Sequence, residues 1–142
     1  MIATVVGLLL VAGVVLTGVV DRPALAALKE DPVADLQIPQ MRLVRTEADG
    51  GSDSFGIESQ ARLKRTFRPS PGGSVEEAQR FAVQAAREAG WEFADLGGMS
   101  DGDYALKSVD GHSAHLSIGV YDGPHGPELS LLMSASQQGN DT

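Results

Sequence analysis

The sequence predicts an α+β fold of two layers, with one main helix lying on a mostly antiparallel sheet, behind an N-terminal transmembrane helix. Three observations point to it. Residues 1–20 carry no charged side chain. Residues 74–90 hold a helical pattern framed by a start signal and a stop signal. After residue 90 the apolar residues alternate in short runs joined by Gly-containing turns, and tight turns make neighbouring strands antiparallel.

The first run, MIATVVGLLLVAGVVLTGVV, would span about 30 Å as a helix, the thickness of a bilayer's hydrocarbon core. Its only polar side chains are Thr4 and Thr17, and in lipid a helix satisfies its own backbone. A lipid bilayer is therefore the first expected partner, through residues 1–20, and the expected location is the cell membrane in a single pass. Ala24-Leu25-Ala26 offers the small-x-small site of a cleavable signal peptide. That alternative would release a secreted domain near Ala26, but no Lys or Arg precedes the apolar run. Ala3/Gly7 and Gly13/Thr17 fit a small-xxx-small spacing that also arises by chance in Gly/Ala-rich spans. Arg22 and Lys29 follow the run, a bias that on charge alone leans towards a cytoplasmic domain.

Residues 21–40, punctuated by Pro23, Pro32 and Pro39, read as a stalk, with ALAALKE able to form a short helix after Pro23. A globular domain is expected over residues 41–136, and residues 137–142 form a polar, disordered tail. MRLVRTE at 41–47 reads as a first strand and ADGGSDS at 48–54 as a loop. QARLKRTFR at 60–68 alternates, with Ala61, Leu63 and Phe67 on one face and Arg62, Lys64, Thr66 and Arg68 on the other. PSPGG stops that strand. Ser74-Val75-Glu76-Glu77 then forms a capping box, Glu77 reaching back to the Ser74 amide. Ala78, Phe81, Ala82, Ala85, Ala86 and Ala89 follow at helical spacing, and Gly90 supplies the left-handed stop. Four strands complete the sheet, near Trp91–Phe93, Tyr104–Val109, Ala114–Tyr121 and Leu129–Ala135. Asp110-Gly111 is a hairpin turn and DGPHGP at 122–127 a second turn.

Composition removes several function classes. The 142 residues carry a net charge of −8, so nucleic acid is not an expected partner, because phosphate affinity comes mainly from Lys and Arg. With no cysteine there is no disulfide, thiol nucleophile or cysteine-ligated zinc. The paired glycines 50–51, 72–73 and 97–98 match neither dinucleotide-binding nor P-loop patterns, and no G-x-S-x-G elbow is present. No cofactor and no metal are expected. Asp101-Gly102-Asp103 lacks the rest of a calcium loop. His112-x-x-His115, with Asp110 and Asp122 nearby, is the best candidate for acid–base chemistry and supports the alternative of a small envelope hydrolase. On a strand, however, residues three apart point to opposite faces.

Charge is unevenly spread. From residue 41 to 73 lie Arg42, Arg45, Arg62, Lys64, Arg65 and Arg68 against Glu47, Asp49, Asp53 and Glu58, whereas the later chain is strongly acidic. Arg62, Lys64 and Arg68, with Arg42 or Arg45 on a neighbouring strand, form the candidate binding surface. It would suit an acidic protein, an anionic headgroup or an envelope polymer. The competing reading is a solvated strand face or a charge-blunted sheet edge. No catalytic residue is assigned, and the expectation is a non-enzymatic binding domain at the membrane surface.

With its apolar N-terminal run, Pro-containing stalk, RLKRTFR strand and capped helix ending in AREAGWEF, the chain resembles the small single-pass membrane-anchored α+β domain proteins of high-GC actinobacteria. Eight Arg against three Lys, among abundant Ala and Gly, agree with that. The resemblance lies in the architecture. It implies a domain facing outward, opposite to the lean of the flanking charges, and it carries over no catalytic residue.

Overall fold

The structure, a computed structural model, describes residues 23–51, 53–54, 57–58, 60–94 and 103–139. The expected membrane span, residues 1–20, lies outside them, as do Asp101 and Gly102. No helix among the described residues is long and apolar enough to cross a membrane.

Six strands form one antiparallel sheet: β1 (Met41–Asp49), β4 (Ala61–Pro69), β5 (Glu92–Phe93), β6 (Asp103–Val109), β7 (His112–Gly123) and β8 (Gly126–Gly139). Their order is β1-β4-β8-β7-β6-β5. A separate two-residue pair, β2 (Asp53–Ser54) with β3 (Ile57–Glu58), occupies part of the expected 48–54 loop and its continuation. The late strands form a meander, so β8 returns to the middle of the sheet and pairs with β4. Helix α2 (Val75–Glu88) carries the chain from β4 to β5 at the far edge. The sheet and the main helix agree with the expected α+β class, with a second helix added.

That second helix, α1 (Pro23–Glu30), and the 3-10 turn Pro32–Asp35 correct the stalk. Ala24, Leu25, Ala27 and Leu28 of α1, with Val33 and Ile38, are buried in the core beside Leu63, Leu116, Leu131 and Met133. Two buried charged groups pin the segment. Asp31 accepts from Val33 N at 3.0 Å and from Trp91 Nε1 at 3.1 Å, and it pairs with Lys107, whose Nζ also donates to Ala89 O at 2.6 Å. Arg65, only 8% exposed, donates to Val33 O at 3.2 Å and Leu36 O at 2.9 Å and lies 5.1 Å from the Phe67 ring centre. Burial lowers the Arg65 pKa and the Asp35 carboxylate raises it. Arg65 therefore shares the core-facing side of β4 with Ala61, Leu63 and Phe67, because its carbonyl partners replace the water it loses.

Helix α2 follows its local signals. Ser74 Oγ accepts from Glu77 N at 3.4 Å, while the carboxylate meeting the Ser74 hydroxyl is that of Glu76, at 2.9 Å, rather than that of Glu77. Gly90, at φ +97°, lets Trp91 N reach Ala86 O and Gly90 N reach Arg87 O, which satisfies the last carbonyls. Val75, Ala78, Ala82 and Ala86 face the sheet, and these small side chains permit close approach. Phe81, expected on the apolar face, is instead 41% exposed, beside a small hollow that also includes Ile38 and Pro39.

The two turns form as expected, with Asp110 at φ +49° and Gly111 at φ +81°, and Pro124-His125 between paired Gly123 and Gly126. Strand β8 continues to Gly139, three residues into the expected tail. His112 pairs with Gly139, its Nδ1 donates to Ser136 O at 2.8 Å, and Gln137 donates to Gly50 O. These bonds give the tail's first residues a place in the sheet.

Candidate functional site

Both helices and the core lie on one face of the sheet, and no described helix covers the other. Residues directly opposite in antiparallel strands share a face. The register therefore sets Arg62, Lys64, Thr66 and Arg68 on the uncovered face of β4, against Ser134, Leu132 and Ser130 of β8. The three basic residues named from the sequence are on one face, as alternation predicts. Each has an acidic residue opposite it in the register or bonded to it. Arg62 is opposite Asp49, Lys64 is opposite Glu47, and Arg68 donates from Nε to Glu128 Oε2 at 2.7 Å.

Strand β1 adds two more cations through an irregularity. Arg42 pairs with Arg68 and Arg45 with Thr66, because the register shifts between Leu43 and Arg45. Without that bulge two residues three apart would face opposite ways. With it, Arg42 and Arg45 both join the uncovered face. Arg45 also bridges to Glu47 at 3.1 Å, with both side chains half-exposed.

At one end of this face a solvent-open hollow of about 470 Å³ is lined by Arg42, Arg68, Pro69, His125 and Pro127. Glu128 does not line the hollow but is bonded to Arg68, which does. The hydrogen bond from Arg68 holds the Glu128 carboxyl below its usual range, and the charges of Arg68, Arg45 and His125 act in the same direction, against the effect of burial. The carboxylate lies over the backbone of Gly123, where a Cβ would come within 2.4 Å of Glu128 Oε1. Tyr121, 60% exposed, lies across Gly119 on the same face. Thr66, two residues before Arg68, has a buried Oγ1 with no hydrogen-bond partner among the described residues. Sequence reasoning missed His125, since DGPHGP signals only a turn. Its proximity to Arg42 depends on the strand order.

The histidine pair does not converge. His112 is buried on the core side, while His115 is on the uncovered face, sharing a hydrogen bond with the Tyr104 hydroxyl. A second hollow of about 680 Å³, lined in part by Glu92, Leu106, Lys107 and His115, lies near the β5–β6 edge. Among the described residues no group of three or more His, Asp or Glu side chains could hold a metal ion.

These elements define a two-layer α+β domain with one uncovered, partly cationic sheet face. No family model matches the chain, and no curated protein or solved structure matches it either.

Proposed function

We propose that this is a single-pass membrane protein, anchored by residues 1–20, whose domain faces outward and binds an acidic partner, headgroup or envelope polymer without catalysing a reaction. The observation that carries the reading is the placement of Arg62, Lys64 and Arg68 on a sheet face that no described helix covers. Neighbouring carboxylates reduce its net charge but leave the guanidinium and ammonium groups displayed for specific pairing, where charge complementarity sets selectivity.

Retention of the anchor is supported by α1. Cleavage after Ala26 would remove Ala24 and Leu25, both buried, and cut within α1 itself. The hydrolase alternative gains nothing from geometry, because His112 and His115 lie on opposite faces. Capture of binding partners from native membranes by full-length protein is the test. Arg62→Glu with Lys64→Glu should abolish capture, and undiminished capture by the folded double variant removes this face from the function. A mature N-terminus at Ala27 would overturn the anchored reading.

A further inference from the structure

The geometry points to the hollow formed by Arg42, Arg68 and His125 as a binding site for a phosphate group. This rests on the uncovered face being the binding face and names the ligand chemistry at one end of it. Two strands and a turn bring the groups together: Arg42 from edge strand β1, Arg68 from β4, His125 from the β7–β8 turn. Arg68 commits Nε to Glu128, and its two Nη groups have no partner among the described residues. Arg42 has no ion pair among the described residues. Guanidinium groups suit phosphate oxygens because their planar forks donate paired hydrogen bonds.

Glu128 acts as the resident counter-ion. It neutralises part of the charge when the site is empty and orients Arg68 through the 2.7 Å bond. The absence of a side chain at Gly123 leaves room for the Glu128 carboxylate. The hollow is open and presents two guanidinium groups and an imidazole beside Pro69 and Pro127, which fits a hydrated anionic group better than an apolar side chain. Its volume of about 470 Å³ exceeds that of a phosphate, so the group can belong to a larger molecule. Two sources share this chemistry, a free phosphate and a lipid phosphate, and the experiment separates them.

The full-length chain has three histidines, and only His125 lines the hollow. His112 and His115 serve as internal controls when the ring resonances are followed by NMR. In nonionic detergent, titration with inorganic phosphate should shift His125 saturably and leave the other two unmoved. Arg42→Gln should weaken that response at least tenfold, and Arg42 is chosen because no described ion pair is lost with it. A His125 response only in phosphatidylcholine nanodiscs containing phosphatidic acid, again lost in Arg42→Gln, assigns the site to a lipid headgroup. Absence of a His125 response in both settings overturns the proposal, as does a response that Arg42→Gln leaves unchanged. Arg62 and Lys64 do not line the hollow. Failure of phosphate binding with partner capture still sensitive to Arg62→Glu and Lys64→Glu would therefore discard this pocket and keep the face.

Discussion

Asp31→Ala tests whether the N-terminal segment is an integral part of the domain. The Asp31 carboxylate has three partners: Val33 N, Trp91 Nε1 and Lys107 Nζ. Losing the cap on the 3-10 turn costs about 1 kcal/mol. Leaving the buried indole N–H without an acceptor costs about 1–3 kcal/mol. Lys107 keeps Ala89 O and some solvent, so its share is smaller, about 0–1 kcal/mol. The sum is about 2–5 kcal/mol, a large part of a domain stability of about 5–15 kcal/mol. Asp31→Asn retains an oxygen for Val33 and Trp91 and loses the charge facing Lys107, so it should cost clearly less. The assay is urea unfolding of the full chain in nonionic detergent, followed by the emission of Trp91, the sole tryptophan, which is 2% exposed. A loss below about 1 kcal/mol for Asp31→Ala would refute the reasoning, since one cap alone accounts for that much. Equal losses for the two variants would assign the effect to the charge rather than to the indole bond.

Other perturbations follow from the same geometry. Arg65→Met strips Val33 O and Leu36 O of their donor and should cost about 2–3 kcal/mol in the same assay. Gly73→Ala would place a Cβ 2.2 Å from the Gln40 carbonyl oxygen, which also accepts from Ser70 N. Backbone must move there, and a loss of about 1–3 kcal/mol is expected on thermal or urea unfolding. The lowered Glu128 pKa fixes a pH dependence. A carboxyl depressed in the folded state adds stability above its unfolded pKa, about 4.3 for Glu, and loses it as pH falls through the folded value. The stability difference between wild type and Glu128→Gln should thus be flat above about pH 5 and shrink below pH ~4; a gap unchanged through acid refutes the pairing. Because the chain has no cysteine, Gln84→Cys on exposed α2 gives a clean topology probe. Labelling of intact cells by an impermeant maleimide is expected for an outward domain, and labelling only after lysis reverses the orientation.

Where structure depends on neighbours in sequence, it was legible. Ser74 and Gly90 bound α2 almost to the residue, and alternation located β4, β6, β7 and β8 with their turns. What sequence concealed depends on distant partners. ALAALKE between prolines has short-helix character wherever it occurs, and only docking on β4 and β8 makes it core. Arg65 occupies an inward position by strict alternation, yet its polarity argues against that until Val33 O and Leu36 O, about thirty residues away, are seen to receive it. Arg62, Lys64 and Arg68 were recoverable because they lie on one strand. The pocket end was not. It requires a bulge at Leu43–Arg45 and a histidine in the turn that opens the neighbouring strand β8, neither of which leaves a periodic signal.

The docking of α1 has a consequence for the order in which the chain can fold. The first described helix rests on β4 and on β8, the last of the described strands. While synthesis proceeds, Leu25 and Leu28 have no surface to cover them, and Ala135, deep in β8, is still to come. The domain therefore closes in one late step that joins its beginning to its end, the kind of long-range contact that slows folding. Until then the apolar side of α1 stands uncovered, with only Asp21 and Arg22 between it and the apolar N-terminal run. A stalled or shortened chain would leave Leu25 and Leu28 uncovered, so loss of β8 should lead to degradation rather than to a smaller working domain.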